Sequence, residues 1–234
     1  MNLTAIVLAA GRGTRFKKKP PKPLFRIGAK PILIYSLLGL SRHPDIKDII
    51  VVANSLNQKK IIAEIKKYRI SKIKDVVLGG LRRQDSVVKG LAAIDNHTDF
   101  ILIHDAARPF IDTKIISLVI KAAKKYGAAV SGVPVRPTIK QAKKINNNTG
   151  AVAFVERTLD RKNLWEIQTP QVFKKSLIIE AYKKFGRLNV TDDASLVEKL
   201  KKKVSIVFGS YLNIKITAAE DTVVASEILK NKRL

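Results

Sequence analysis

The chain has 234 residues, 46% of them hydrophobic, which suits one sizeable α/β domain with a real core and excludes a disordered chain. It has no cysteine, which excludes disulfides and thiolate chemistry, and its histidines His43, His97 and His104 lack the spacing of a zinc site. Lysine and arginine total 45 against 19 Asp+Glu, a net charge of +26, so nucleic acids and anionic substrates are the partner classes to weigh.

The first predicted element, Leu3 to Leu8, is apolar on both faces, as expected of a central parallel strand. It follows Met-Asn without a basic flank and ends in a loop with catalytic character, so it reads as a strand and not as a signal peptide. That loop, with Ala9, Ala10, Gly11 and Gly13, has side chains too small to block a ligand, and its N–H groups can converge on one anion. Arg15 and Lys22 add full positive charges. A dinucleotide loop would need glycine where Phe16 stands, and a Walker A loop would need a Lys-Ser/Thr pair that is missing. Bracketed by Pro20, Pro21 and Pro23, the stretch reads as a phosphate loop rather than a glycine turn followed by solvated lysines.

Downstream, Pro31 to Leu40 is predicted as a buried helix, Asp48 to Ala53 as a strand and Asn57 to Tyr68 as an amphipathic helix. The alternation continues with strand Lys74 to Leu78, helix Gln84 to Ile94, strand Phe100 to His104, helix Thr113 to Tyr126 and strand Ala128 to Val135. Such a series predicts a three-layer, Rossmann-like α/β sandwich with a mostly parallel sheet and ligands at the strands' carboxyl ends. From Thr138 to Arg157 the rhythm breaks. Two alternating segments flank Asn146-Asn147-Asn148-Thr149-Gly150, which predicts a protruding β-hairpin arm. A two-stranded arm is marginal alone and is expected to pack on something, such as a second subunit. Helices resume at Lys175, and strands Val204 to Phe208 and Asn213 to Ile216 are predicted before a last helix. The whole chain, 1–234, reads as a single domain with residues 138–157 as the arm.

The excess charge lies mostly in pairs on predicted helix faces: Lys59-Lys60, Lys66-Lys67, Lys124-Lys125, Lys183-Lys184, and the run Lys201 to Lys203. These do not cluster with aromatics as a single-strand binder would prefer. They read as a solvated surface that steers anionic substrates, with no specific nucleic-acid partner. No apolar run approaches the length of a membrane-spanning helix, and a cytoplasmic location is expected.

Other motifs stand beside strand ends. Gly79-Gly80-Leu81-Arg82-Arg83-Gln84-Asp85-Ser86 opens a helix, where Ser86 and the first N–H groups can read a base or a phosphate, or the glycines simply form a turn capped by Asp85. In His104-Asp105-Ala106-Ala107-Arg108-Pro109, Asp105 could hold Mg²⁺ or a ribose hydroxyl and Arg108 an anion. Equally, the two could be a buried ion pair that fixes the turn. His104 reads as structural. Gln168-Thr169-Pro170-Gln171 and Asn213-Ile214-Lys215-Ile216-Thr217 read singly as turn and edge residues.

Taken together these motifs, with Leu8-Ala9-Ala10-Gly11-x-Gly13-x-Arg15, Pro21-Lys22, Thr138-Ile139-Lys140, Leu164-Trp165 and Thr191-Asp192-Asp193-Ala194-Ser195, resemble the 2-C-methyl-D-erythritol 4-phosphate cytidylyltransferase family of nucleotidyltransferases. The resemblance spans nearly the whole chain. It implies transfer of a cytidylyl group from CTP to a polyol phosphate, with Mg²⁺ as cofactor and release of pyrophosphate. It implies Arg15 and Lys22 as catalytic cations, and Ala9, Ala10, Gly11, Gly13, Gly79, Gly80, Arg83, Ser86, Ala106 and Lys215 as the CTP site. For the polyol phosphate it implies Asp105, Arg108 and Thr169, with Asp105 also on the metal. Thr138 and Arg161 would be delivered across a homodimer by the arm. The chain departs from the family pattern at Pro137, where an aspartate is usual, and at Pro23, where a glutamine is common and proline would stiffen the loop. Ribitol-5-phosphate cytidylyltransferase is the neighbouring alternative, against which Ala106-Ala107 argues. A non-catalytic nucleotide- or RNA-binding relative is the other, against which intact Arg15, Lys22, Asp105 and Lys215 argue.

Overall fold

A computed structural model describes residues 1–231 other than Arg12, Lys17, Asn148 and Thr149. From the N-terminus come β1 (Leu3–Ala9), a short ribbon of β2 (Arg26–Ile27) and β3 (Lys30–Pro31), and α1 (Ile32–Ser41). Alternation follows: β4 (Ile46–Ala53), α2 (Gln58–Lys67), β5 (Ile73–Leu78), α3 (Arg83–Ala92), β6 (Phe100–Asp105), α4 (Thr113–Tyr126) and β7 (Ala128–Pro134). The hairpin β8 (Ile139–Asn147) and β9 (Gly150–Leu159) interrupts it before β10 (Trp165–Lys174), α5 (Lys175–Phe185), α6 (Ala194–Lys199), β11 (Ser205–Phe208) and α7 (Asp221–Asn231).

Seven strands form one sheet in the order β11-β7-β10-β6-β1-β4-β5. All are mutually parallel except β10, which runs antiparallel to both β6 and β7. The expected three-layer architecture is present. Alternate residues of β1 explain the layering: Leu3, Ala5, Val7 and Ala9 face the helices α1, α2 and α4, whereas Ile6 faces α3, α5 and α6. Both faces of this strand are covered except at Leu8, which reaches the cleft, and that is why it reads as a largely apolar run.

Local chemistry sets the helix ends. α4 starts at Asp112, whose carboxylate accepts from the Lys114 N–H at 2.7 Å, and stops at Gly127, whose φ of +86° is open to glycine at no steric cost. α1 buries residues around most of its circumference, and Ser36 turns its hydroxyl inward to the carbonyls of Ala106 and Arg108. A core helix therefore grips the loop that follows β6.

A third, smaller cluster lies beyond the carboxyl edge of the sheet, where Phe16, Ile27, Ile32, Phe110, Ile216, Ala225 and Ile228 pack together. Phe16 meets Phe25 edge to face at 5.1 Å between ring centroids. The residue that breaks the dinucleotide pattern is thus an apolar anchor for the loop after β1.

Three expectations need correction. Gln168-Thr169-Pro170-Gln171, read as turn and edge residues, lies within a ten-residue strand inside the sheet, Trp165–Lys174, with an irregular register between Ile167 and Gln171 that lets Pro170 sit there without donating to the ladder. Asn213 to Ile216, read as a strand, is not one, because Asn213 spends its amide and carbonyl on side chains and backbone of the site. The hairpin is paired from Ile139↔Leu159 outward, slightly longer than expected, and Asn148-Thr149 of its turn lie outside the described residues. Since Phe16 is fully buried, Phe16→Ala should lower folding stability by about 3–5 kcal/mol. Urea unfolding of the two chains measures that loss.

Candidate active site

β1 leads through α1 to β4 and β5 on one side, while β6 returns to pair with β1 on the other. Between the ends of β1 and β6 the winding reverses, and a crevice must open there because the connections leave in opposite directions. The cleft at that point has a volume of about 300 Å³. Of the residues the sequence singled out, Ala9, Ala10, Gly11, Gly13, Arg15, Lys22, Gly80, Arg83, Ser86, Asp105, Ala106 and Lys215 all line it. Among the described residues, its charged lining is five cations (Arg82 is the fifth) against one carboxylate, Asp105.

The loop after β1 turns at Gly13, whose φ is +62°, and closes with a 2.8 Å bond from the Phe16 N–H to the Gly13 carbonyl. Arg15 is therefore held one residue from a buried ring. Lys22 begins a single 3₁₀ turn, Lys22–Leu24, in which Pro23 and Leu24 are buried. Burial lowers the Lys22 pKa, and the neighbouring Lys215 and Arg15 cations add to the effect against the opposing pull of Asp105. The cleft thus brings like charges close together, an arrangement that would favour an anion placed among them.

Gly79 and Gly80 serve close packing. A Cβ on Gly79 would come within 2.5 Å of the Ala10 Cβ and 2.7 Å of the Ser86 hydroxyl, and one on Gly80 within 2.3 Å of Asp85. Ser86 accepts from the Gly80 N–H at 3.2 Å, so its hydroxyl ties the turn as well as facing the cleft. Gly79 itself lies behind the wall.

Asp105 is the electrostatic centre. Lys215 donates to its Oδ2 at 2.6 Å, and the Arg83 Nε lies 3.4 Å from Oδ1. Burial opposes its charge, yet Arg83 and Lys215 hold its pKa well below the ordinary carboxylate range. Arg108 and Thr169 sit behind this centre and do not line the cleft. Arg108 is buried and donates Nη1 to the Asn213 carbonyl at 2.7 Å, while its Nε has no partner among the described residues. Thr169 accepts from the Asp105 N–H at 3.1 Å and bonds the His104 Nδ1 at 3.0 Å. Thr138 and Arg161 are exposed at the root of the hairpin, away from this chain's own cleft.

His104 completes a relay whose direction follows from chemistry. The Arg108 carbonyl can only accept, so the His104 Nε2, 3.1 Å away, carries the proton, and Nδ1 then accepts from the Thr169 hydroxyl. Complete burial pulls its pKa down to about 4. Sequence reasoning left three supporting residues without a role. Asp193 holds Arg83, Tyr182 holds Asp193, and Gln171 binds Asp192. The consecutive acids Asp192-Asp193 were the available signal.

The depressed His104 pKa makes the folded state neutral there while the unfolded chain takes up a proton below about pH 6.5. Its contribution is present above that pH and is lost as pH falls toward about 4, at a cost of about 3 kcal/mol. Thermal midpoints across that range should fall steeply, and more gently for His104→Asn.

The model of the family described as 2-C-methyl-D-erythritol 4-phosphate cytidylyltransferase (IspD) matches residues 3–231. The 2-C-methyl-D-erythritol 4-phosphate cytidylyltransferase of Syntrophus aciditrophicus is 41% identical over 233 residues, covering 98% of this chain and 97% of the relative. The bifunctional enzyme IspD/IspF of Desulfotalea psychrophila is 38% identical over 232 residues, and the match takes in 99% of this chain but 58% of that longer relative. Among solved structures, the 4-diphosphocytidyl-2C-methyl-D-erythritol synthase of Anaerococcus prevotii superposes with a TM-score of 0.83 at 32% identity, covering 98% and 96% of the two chains. With the cleft, its cations and the buried carboxylate in the same chain as these matches, the protein belongs to the 2-C-methyl-D-erythritol 4-phosphate cytidylyltransferase family.

Proposed function

We propose that the cleft at the β1–β6 switch holds CTP and 2-C-methyl-D-erythritol 4-phosphate together, so that the acceptor's phosphate oxygen attacks the CTP α-phosphorus. A new P–O bond forms, the bond from the α-phosphorus to the bridging oxygen breaks, and pyrophosphate leaves with the electron pair. The products are 4-diphosphocytidyl-2-C-methyl-D-erythritol and pyrophosphate. The convergence of five cations on a crevice with one carboxylate carries this reading.

A phosphate monoester is already ionised near neutral pH, so the reaction needs no activated serine or cysteine. The work left to the protein is to bring two polyanions together and to stabilise charge on the crowded phosphorus. Arg15 and Lys22 suit the CTP phosphates, since both stand on the loop that closes the cleft over β1. Ala9, Ala10, Gly11 and Gly13 present backbone with little side-chain bulk beside them. Gly80, Arg83, Ser86 and Ala106 form the opposite wall, where the nucleoside would lie. Lys215 and Asp105 stand between the two substrates.

A divalent ion fits the donor set. Asp105 Oδ2 is engaged by Lys215, but among the described residues Oδ1 has only the long contact to Arg83 and could serve a hard cation. Mg²⁺ commonly takes one or two carboxylates together with substrate phosphates, so Asp105 with the CTP oxygens would hold it, and it would supply charge neutralisation there.

The hairpin supports a homodimer. β8 and β9 pair only with each other, and on β9 Phe154 and Val155 are 58% and 61% exposed. A two-stranded ribbon with bare apolar side chains gains from packing on a second copy. We take Thr138 and Arg161, at its root, to reach the partner's acceptor site. Arg108 and Thr169 would then support Asp105 from behind rather than touch the polyol phosphate directly.

Removing either loop cation should cost about 10²–10³ in kcat, as losing one preorganised donor does. For Lys22→Gln the thermal midpoint without substrate should hold or rise, because repulsion from Lys215 and Arg15 is removed. Pyrophosphate release with 2-C-methyl-D-erythritol 4-phosphate or D-ribitol 5-phosphate as acceptor, alongside calorimetry, tests both statements. Inactive Arg15→Ala and Arg161→Ala chains should regain activity when mixed, since one site in each mixed dimer would be intact. No recovery in dimers verified by mass would overturn shared sites.

A further inference from the structure

Behind the wall of the cleft lies a second, fully buried carboxylate. Asp193, just before α6, accepts from the Arg83 Nη2 at 2.7 Å through Oδ2 and from the Tyr182 hydroxyl of α5 through Oδ1. The same arginine reaches Asp105 only through Nε at 3.4 Å. Arg83 is thus gripped from behind and touches the active carboxylate loosely from the side. Two further bonds fix the first turn of α3 to the α5–α6 connection: Arg82 Nη1 to the Arg187 carbonyl at 3.1 Å and Gln84 Nε2 to the Leu188 carbonyl at 2.9 Å.

An ion pair taken out of water is costly, and apolar residues of similar volume often hold a fold as well or better. A pair held at that cost suits a role beyond packing. We infer that Asp193, seated by Tyr182, is a positioning residue: it anchors Arg83 in the cleft wall and keeps the guanidinium from closing onto Asp105. Without that grip the planar fork would turn to Asp105 and pair with it through two parallel bonds. Both oxygens of Asp105 would then be consumed, and the cation would leave the place where CTP meets it. The inference rests on the CTP-transfer reading of the cleft.

The two ways Asp193 could act predict opposite signs. A charge that merely balanced the site would weaken polyanion binding, so its removal should tighten CTP. A positioning residue should, when removed, weaken CTP and slow turnover. For Asp193→Asn we expect CTP affinity to fall about tenfold, by calorimetry without acceptor, and kcat to fall about 10- to 100-fold. Tyr182→Phe keeps the ring and the Asp193 charge and should cost about three- to tenfold in kcat, which keeps the test open if the first variant does not fold. In an Arg83→Gln background, Asp193→Asn should have no further effect on kcat, because the residue acts only through Arg83. Unchanged or tighter CTP binding with unchanged kcat would overturn the inference, and so would additive losses in the double variant. Failure of the parent chain to release pyrophosphate with either acceptor would instead overturn the transfer reading, while CTP calorimetry on the variants would still report on the Asp193 grip.

Discussion

Asp105 carries a negative charge where burial alone would neutralise it, and the surrounding architecture keeps it ionised. Lys215 arrives from the segment before α7, Arg83 from the first turn of α3, and the Asp105 N–H is fixed by Thr169 of β10. Each partner belongs to a different part of the chain, so the carboxylate is held only when the sheet, α3 and the C-terminal segment are all in place. A buried charge with one partner missing is strongly destabilising, which couples the integrity of the site to the integrity of the fold.

Opposite this carboxylate the balance is reversed. Among the described residues the cations lining the cleft outnumber the anions, and their proximity would favour a polyanion placed among them. That charge proximity is held in place by apolar packing: Phe16 and Pro23 at the loop, and Ile216 beside Lys215. On the proposed transfer reading, preorganisation of this kind would leave little reorganisation for the moment when charge develops on phosphorus.

Much of this was legible from the residues. The apolar run of β1, the strand–helix alternation and the convergence of motif-bearing loops at one sheet edge follow from periodicity and winding alone. The elements that misled were those whose polar groups are satisfied by tertiary contacts. In Trp165–Lys174 the stretch Gln168-Thr169-Pro170-Gln171 has the composition of a turn, yet Gln168 bonds the Ser210 carbonyl, Thr169 supports Asp105 and Gln171 bonds Asp192. In Asn213–Ile216 the pattern imitates a strand, but Asn213 is engaged by Arg108 and the Thr169 carbonyl, and its backbone bonds run from Asn213 to Ser210 and from Ile216 to Ala107 rather than into a ladder. The roles of Asp193 and Tyr182 were hidden for the same reason, since no periodicity announces a buried polar chain across α5, α6 and α3.

The antiparallel course of β10 has a consequence for the order in which the molecule is assembled. β1, β4, β5 and β6, with the glycine loop and the first turn of α3, are all encoded by residue 105. β10 must then enter between β6 and β7, and its irregular turn supplies the threonine that fixes Asp105. As the chain emerges from the ribosome, the side of the cleft built by β1, α3 and β6 can form well before the side closed by β10 and the C-terminal segment. The central carboxylate stays without its full set of partners until the segment carrying Lys215, more than a hundred residues later, has been made.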